Sequence, residues 1–329
     1  MPTTQYEHNE IKDIPDIPPP ILESASNGKL VVFAGAGVSR IIGCLSWDDF
    51  AISQLKYLRE KKCINYHEYE NLSKLEARKL LSICKKILEE KNIPPPDTKS
   101  LLKCNEKLNE KYKIYDDLYS FNAIYVTTNF DDHLDQVAKL KKSHKTLTAL
   151  ETSTQPNIDE NPNKRADIIY SKDQLLVSGL TNGSIIHLHG SVNDKSSMII
   201  TIVDYMKHYE KDSKPAVLLE EIFKAYTVLF VGYGLEEYEI LEFMIGKSQA
   251  VRGELKHFML YPIFKAESNL FDFNKKYYAD LGIQLVPYLK DENGYEQLAT
   301  VIGEWARQIG PLSKPQNFLD RVKLIDEVI

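Results

Sequence analysis

Residues 29–39 read KLVVFAGAGVS, and this stretch sets the class of the fold. Its continuous apolar run is typical of a short strand that is buried on both faces of a parallel sheet. Gly35 and Gly37 follow the run at once, and glycines there let the backbone turn tightly or approach a pyrophosphate closely. The third glycine of the usual dinucleotide fingerprint is missing, so a tight turn without a ligand is an equal interpretation of this stretch alone.

Similar apolar runs recur along the chain and predict further strands. They are bounded by Gly, Asn or Pro, are rich in β-branched residues and lack the alternation of a half-exposed strand. Helical patterns at 215–226 and 294–309 lie between or after them. This order predicts an α/β, Rossmann-like fold with a doubly wound, mostly parallel sheet. The further predicted strands are 123–130, 184–190, 197–201, 227–234, 257–262 and 283–288.

A long segment separates the first two predicted strands, far beyond the usual length of a connection. Apolar residues recur in it at helical spacing among many Lys and Glu residues, which predicts a helical insertion at about 48–120. We expect an N-terminal arm at 1–27 that is extended over residues 1–20, one domain at 28–311 that contains the insertion, and a C-terminal tail or linker at 312–329. A polar surface loop is expected at 152–165.

Composition restricts the classes of partner. The chain holds 41 Lys and Arg residues against 47 Asp and Glu, and its net charge of -6 gives no general attraction to nucleic acid. The four cysteines form no CxxC pair, so we expect reduced thiols and no zinc site. No apolar run is long enough for a membrane span, and no signal-peptide pattern begins the chain. We expect a cytoplasmic protein without a nucleic-acid or membrane partner.

Polar residues follow the second predicted strand. Thr128, Asn129 and Asp131 come at its carboxyl end, and in an open parallel sheet such residues face the ligand crevice. Asn129 and Asp131 could also simply cap the next helix.

Histidine and glycine end two later strands. His189 ends the strand at 184–190, and His187 would face the same side two residues earlier, as in an HxH metal site. No third ligand has a suitable spacing, so no metal is expected and His187 is interpreted as structural. Gly232 and Tyr233 end the strand at 227–234, where a glycine turn could admit a ribose or adenine or could be an ordinary turn.

In this order, the motifs GAGVS, TTNFD, LHG and GYG resemble those of the sirtuin superfamily over about residues 29–290. The resemblance implies an NAD-binding domain with its site at the strand ends. It assigns Asn129 and His189 to catalysis, with Asn129 beside the nicotinamide ribose. The cofactor-binding residues that it implies are Gly35, Ala36, Gly37 and Ser39 at the phosphates, Asp131 with Asn129 at the nicotinamide ribose and carboxamide, and Gly232 and Tyr233 at the adenosine. Thr128 is a further expected cofactor-binding residue.

Two departures from deacylase sirtuins narrow the resemblance. The GIPDFR segment is replaced by GCLSWDDF at 43–50, so Ser46 and Trp47 stand in place of its Phe and Arg, and Trp47 joins the expected NAD-binding residues. The four-cysteine zinc module is absent, which argues against an acyl-lysine channel. Together with the helical insertion, these departures resemble the SIR2-like NADase domains of bacterial antiphage defence systems.

That resemblance implies an NAD+ hydrolase that releases nicotinamide and ADP-ribose, with NAD as substrate. Asn129 would hold the water or a ribose hydroxyl, and His189, with a pKa near neutral, would accept a proton. Depletion of NAD in abortive infection would require control, so a homo-oligomer and a partner ATPase or fused sensor module are expected. An NAD- or ADP-ribose-binding regulatory module, an NAD-dependent protein deacylase and a cyclic ADP-ribose product remain alternatives.

Overall fold

The computed structural model describes residues 11–151, 168–175, 180–234, 240 and 257–312. Seven parallel strands within these ranges form one sheet. They are β1 (Leu30–Ala34), β2 (Ile124–Thr127), β3 (Ile168–Ile169), β4 (Ile185–His187), β5 (Thr227–Val231), β6 (His257–Ile263) and β7 (Ile283–Leu289). Their spatial order is β3-β4-β2-β1-β5-β6-β7.

Thirteen α-helices accompany the sheet in the described ranges. They are α1 (Pro19–Ser26), α2 (Ala36–Ile41), α3 (Trp47–Glu60), α4 (Tyr66–Leu72), α5 (Ala77–Glu90), α6 (Thr98–Leu101), α7 (Glu106–Tyr112), α8 (Ile114–Ser120), α9 (His133–Glu151), α10 (Ile202–His208), α11 (Lys214–Ala225), α12 (Ser268–Asp280) and α13 (Gln297–Leu312). This arrangement confirms the predicted Rossmann-like α/β fold, and the sheet is parallel throughout.

The central strand β1 explains why its sequence is continuously apolar. It pairs in parallel with β2 on one side and β5 on the other, and all five of its residues are buried. Val32 packs into the core on one face of the sheet, while Val31 and Phe33 pack into the core on the opposite face. A strand that is buried on both faces has no exposed side to mark with polar residues.

The strand order reverses between β1 and β5. From β1 the chain proceeds to β2 and β4 on one side, and from β5 it proceeds to β6 and β7 on the other. The strand order therefore has its switch point between β1 and β5, and open α/β sheets bind ligands in a crevice at such a point. The GAGVS and GYG motifs both follow strands that border this point.

The segment between β1 and β2 is helical, as predicted. Helices α3 to α8 lie in it, and α3 packs against α5 around a separate apolar core. Phe50, Leu55 and Leu58 of α3 and Leu80 and Cys84 of α5 are buried in this core. The insertion therefore has its own hydrophobic contacts and does not depend only on the sheet.

Two sequence predictions fail in this fold. The segment 197–201, predicted as a strand, begins with the last residue of a short 3-10 helix, and the Ile199 amide donates to the His189 carbonyl at 2.8 Å outside the sheet. Thr201 then caps α10 by accepting from the Asp204 amide, so the segment serves as a helix start. The two-residue strand β3 at 168–169 was not predicted, because so short a run carries no periodicity.

The N-terminal segment is packed against the domain where the structure describes it. Residues 19–26 of the expected arm form α1, which overlaps the extended part predicted for 1–20 only at its last two residues, and Ile21 is buried in the main core. The Trp305 indole nitrogen donates to the Pro15 carbonyl at 2.9 Å. The predictions for residues 1–10, the loop at 152–165 and residues 313–329 lie outside the described residues.

The helices and the cysteines bear on two expectations from the sequence, the absence of a membrane span and the presence of reduced thiols. None of the helices in the described ranges is long and apolar enough to cross a membrane.

The four cysteines are free thiols, and burial raises the pKa of Cys84 to about 12. That thiol is therefore a packing residue of the insertion and a poor nucleophile at neutral pH.

Candidate functional site

The GAG turn packs directly on the end of β5. The Gly35 amide donates to the Val231 carbonyl at 3.0 Å, and the Gly37 amide donates to the Gly232 carbonyl at 2.8 Å. A Cβ on Gly35 would lie 2.6 Å from the Gly232 oxygen, and one on Gly37 would lie 2.8 Å from the Gly232 Cα. Glycine is therefore required at both positions by backbone packing across the crevice, whether or not a phosphate binds there.

Asn129 joins this turn to the end of β2. Its side-chain nitrogen donates to the Gly35 carbonyl at 3.0 Å and to the Ser39 hydroxyl at 2.8 Å, and its backbone amide donates to the Thr127 hydroxyl at 3.0 Å. A carbonyl oxygen only accepts, so the amide nitrogen must face Gly35 and the amide oxygen must point elsewhere. Within the described chain, no protein donor bonds that oxygen, which leaves it to accept from a ligand or water.

A buried polar cluster of Ser39, Asp131 and Tyr115 holds the Asn129 amide through the Ser39 hydroxyl. The Ser39 hydroxyl donates to one oxygen of Asp131 at 2.7 Å, and the Tyr115 hydroxyl donates to the other at 3.2 Å. Ser39, Asp131 and Tyr115 are all buried. Burial and the neighbouring Asp131 carboxylate raise the pKa of Tyr115 well above its ordinary value. This tyrosine therefore remains a hydrogen-bond donor at neutral pH.

This cluster differs from the roles expected for two residues. Ser39 was expected at the phosphates and Asp131 at the nicotinamide, but in this structure both carboxylate oxygens and the Ser39 hydroxyl are engaged inside the protein. Tyr115 was not recognised from the sequence, because it lies on α8 of the insertion, far from every motif. The pattern of the motif alone offers no signal for such a long-range contact.

His187 holds the backbone of Asn129 and does not share an environment with His189. Its Nδ1 lies 3.2 Å from the Asn129 carbonyl and its Nε2 lies 2.8 Å from the Asp135 carboxylate. The fully buried Asp135 also accepts from the Tyr170 hydroxyl at 2.9 Å. These contacts support the structural interpretation of His187.

His189 lies in an aromatic cage formed largely by α10 and the residue that follows it. The ring is 1% exposed, with Nε2 at 2.7 Å from the Tyr209 hydroxyl and Nδ1 at 3.3 Å from the Tyr205 hydroxyl. Burial, with smaller contributions from His208 and Arg78, lowers the pKa of His189 well below 6.5. The expected pKa near neutral is therefore wrong, because the cage disfavours the charged ring.

The strand-end segments that carry Asn129 and His189 run side by side. The Leu188 amide donates to the Thr127 carbonyl and the Val192 amide donates to the Phe130 carbonyl, each at 2.8 Å. In the residues described, no hydrogen bond joins the two side chains themselves. Asn129 and His189 are therefore neighbours in the fold, but they belong to separate hydrogen-bond groups in this arrangement.

Trp47 lies next to this region through apolar contacts. Its ring stacks on Phe50 with centroids 5.9 Å apart and tilts against Phe130 at 5.5 Å. Phe130 directly follows Asn129 in the chain. Trp47 thus joins the start of the insertion to the β2 end, and its ring is used in packing.

The candidate NAD residues divide into an accessible and a buried group. Gly35, Ser39, Asp131, Tyr233 and His189 are buried, whereas Ala36 is exposed. The half-buried members are Gly37, Trp47, Thr128, Asn129 and Gly232. Parts of the GAG turn, the Asn129 side chain and the β5 end are therefore partly exposed to solvent, whereas the His189 ring is not. The described ranges contain no cluster of three or more His, Cys, Asp or Glu residues that could hold a metal ion.

The comparison with known families agrees with this geometry. A family model described as SIR2-like domain matches residues 123–285, which include the strand ends that carry Asn129 and His189. The match does not include β1, but the Asn129 amide ties the matched part to the GAG turn. No curated protein matches the chain.

The glycine turn, the Asn129 amide and His189 lie at the carboxyl edge of an open parallel sheet, which is where α/β domains of this kind bind their ligands. Residues 123–285 of the chain match a SIR2-like domain of the sirtuin superfamily. SIR2-like domains bind NAD, and the function of this chain is accordingly related to NAD.

Proposed function

We propose that the chain is an NAD+ glycohydrolase that cleaves the nicotinamide–ribose bond. The observation that carries the proposal is the fixed Asn129 amide, whose nitrogen is held by Gly35 and Ser39 at the crevice between β1 and β5. Its oxygen has a fixed position before any substrate arrives. Such preorganised polar groups contribute to catalysis because they need no reorganisation during the reaction.

The proposed reaction is a displacement at the anomeric carbon of the nicotinamide ribose. Water forms the new carbon–oxygen bond, and the carbon–nitrogen bond breaks with its electron pair passing to the nicotinamide nitrogen. Nicotinamide leaves as a neutral molecule, so the leaving group needs no general acid. The protein must place the water and stabilise an oxocarbenium-like transition state, and the Asn129 oxygen can accept from that water or from a ribose hydroxyl.

His189 is the proposed proton acceptor. Its lowered pKa keeps the ring neutral at physiological pH, so the ring can take the water proton. In this arrangement both ring nitrogens face tyrosine hydroxyls, and a substrate hydroxyl or water must replace one of them first. This closed cage supports a resting state that a trigger must open.

Regulated NAD depletion in antiphage defence follows from this proposal. An enzyme that consumes cytoplasmic NAD harms its own host, so activity must await assembly or a signal. The proposed context is abortive infection, with a homo-oligomer and a partner ATPase or fused sensor module supplying the trigger. A regulatory module that binds NAD without cleaving it is the second candidate, and it differs from the resting hydrolase in that its His189 cage would stay closed when NAD binds.

The first test is incubation of the purified chain with NAD, with nicotinamide and ADP-ribose followed by chromatography. His189→Gln is expected to lower kcat about 10- to 100-fold, at the lower end of the range for general bases, because a ring with so low a pKa is a weak base. His67→Gln, on the exposed side of α4, serves as the control and should retain full activity. Tight NAD binding without any cleavage would favour the regulatory module.

The pH profile gives a separate prediction for the same residue. The pKa of His189 is lowered, so the neutral, proton-accepting ring persists as the pH falls through 6.5. We expect wild-type kcat/KM for NAD to stay constant from about pH 8 to about pH 6. A loss of activity that is centred near pH 6.5 and disappears in His189→Gln would show an unshifted histidine and contradict the closed cage.

A further inference from the structure

The main chain at Asn129 is held by a side chain at a point where the sheet no longer holds it. Strand β2 ends at Thr127, and the next carbonyl that accepts from a backbone amide is that of Phe130, at 2.8 Å from the Val192 nitrogen. No backbone amide in the described part of the chain bonds the Asn129 carbonyl. The His187 ring takes this place, with Nδ1 at 3.2 Å from the carbonyl oxygen.

Asp135 holds the His187 ring from its other side. The carboxylate lies 2.8 Å from Nε2, and both side chains are fully buried. Asp135 belongs to the first turn of α9, so the ring lies between the end of β2 and the start of that helix. Since each ring nitrogen has its own contact, the ring cannot turn without losing both of them.

A contribution to stability does not by itself account for this buried polar pair. Taking polar and charged groups out of water is costly, and apolar residues of similar volume often stabilise such positions equally well. Ile185, on the same face of β4, is an ordinary apolar residue of the main core. The specific effect of a histidine at position 187 is on direction, because its two nitrogens determine where the Asn129 peptide group lies relative to Asp135.

We propose that His187, held by Asp135, is a positioning residue for Asn129. The ring fixes the Asn129 carbonyl and with it the turn of main chain from which the side chain projects, so the amide oxygen keeps one direction at the crevice. His187 acts only through Asn129 and does not touch NAD. The inference rests on the proposed function, in which that oxygen accepts from the attacking water or a ribose hydroxyl.

Asp135 has enough partners to tolerate changes at position 187. Its carboxylate also accepts from the Tyr170 hydroxyl at 2.9 Å and from the Asn193 side-chain nitrogen at 3.2 Å. Asn193 is in turn held by Lys99 of α6, whose Nζ lies 3.0 Å from the Asn193 side-chain oxygen. Two anchored donors therefore remain when the imidazole is replaced, and no buried charge is left without a partner.

Asparagine and glutamine at position 187 separate the two contacts of the ring. The amide nitrogen of asparagine is as many bonds from Cβ as histidine Nδ1, and that of glutamine is as many bonds from Cβ as Nε2. Both amide nitrogens are donors. His187→Asn can therefore keep the contact with the Asn129 carbonyl and lose the one with Asp135, whereas His187→Gln does the reverse.

The kinetic test compares these two variants. His187→Gln is expected to lower kcat for NAD cleavage about tenfold with KM within about twofold, because positioning acts in the transition state more than on binding. His187→Asn should keep kcat within about threefold of wild type, since the contact with Asn129 is restored. Steady-state release of nicotinamide gives both constants, and His67→Gln makes the same change on the exposed side of α4 as a control. Equal kcat values in the two His187 variants would overturn the proposal.

A second measurement follows the Asn129 amide directly and needs no catalysis. Its nitrogen donates to the Gly35 carbonyl and the Ser39 hydroxyl, so its two protons should give separate, slowly exchanging signals in the full chain labelled with 15N-asparagine. Asn129→Ala assigns these signals by their disappearance. They should broaden and exchange faster in His187→Gln but remain as in wild type in His187→Asn, and unchanged signals in both variants would contradict a positioning role.

The two measurements separate this inference from the proposed function. If the wild-type chain cleaves no NAD but the amide signals respond to His187→Gln and not to His187→Asn, His187 positions Asn129 and only the hydrolase proposal fails. If the wild-type chain cleaves NAD and His187→Gln keeps its kcat, the hydrolase proposal stands and the positioning role fails.

Discussion

Gly190→Ala is expected to lower the free energy of unfolding by about 3 kcal/mol or more. Gly190 has φ 84°, in the left-handed region, and a Cβ there would lie 2.3 Å from the Ser197 carbonyl oxygen and 2.4 Å from its carbon. Both atoms are backbone, so no side-chain rotation relieves the clash. Equilibrium denaturation with guanidinium, extrapolated linearly to water, measures the loss.

Gly28→Ala is the matched control for this variant. Gly28 also has a positive φ, 65°, but the nearest atom to its Cβ would be an Asn182 side-chain atom at 3.6 Å. Alanine there should cost about 1 kcal/mol, which is the conformational penalty alone. Equal losses in the two variants would mean that the contact with Ser197 is not tight.

The contact at Gly190 matters because it fixes the segment beneath His189. The Ser191 amide donates to the Ser197 hydroxyl at 3.2 Å, and the Ile199 amide donates to the His189 carbonyl at 2.8 Å. Displacing this segment would also move Thr201, which caps the helix that carries Tyr205. We therefore expect the stability loss to be accompanied by exposure of the His189 ring.

The strands were predictable because their environment is uniform. Val31, Val32 and Phe33 must all be apolar, since both faces of β1 are covered, and a continuous apolar run is visible in the sequence. The strand ends were predictable because a glycine or polar residue interrupts the apolar run. The order of the motifs then located the crevice.

The contacts inside the site were less predictable, because they join distant parts of the chain. Tyr115 reaches Ser39 across 76 positions, and Tyr209 covers His189 from the far side of a segment that was predicted as a strand. A histidine that ends a strand has the same sequence pattern in an open crevice and in a closed cage. Its lowered pKa depends on burial, which no local pattern indicates.

Asn129→Ala is expected to reduce kcat/KM for NAD about 100- to 1000-fold, the effect of removing one fixed polar group that acts in the transition state. The variant loses the amide oxygen and also both contacts of the nitrogen, to the Gly35 carbonyl and the Ser39 hydroxyl. Asn71→Ala, on the exposed surface of α4, makes the same chemical change away from the site and should leave kcat/KM for NAD unchanged. Steady-state kinetics with nicotinamide release as readout gives both values.

Ser39→Ala tests whether the fixed orientation of the Asn129 amide matters, because the amide itself remains in this variant. This variant removes one of the two acceptors that hold the Asn129 nitrogen but leaves the Gly35 carbonyl, so the oxygen remains with a less fixed direction. We expect a loss of about tenfold in kcat with KM little changed, because positioning acts in the transition state more than on binding. If Asn129→Ala keeps wild-type kcat/KM while its melting temperature is unchanged, the amide is only a link between β1 and β2, and the catalytic proposal fails at its central residue.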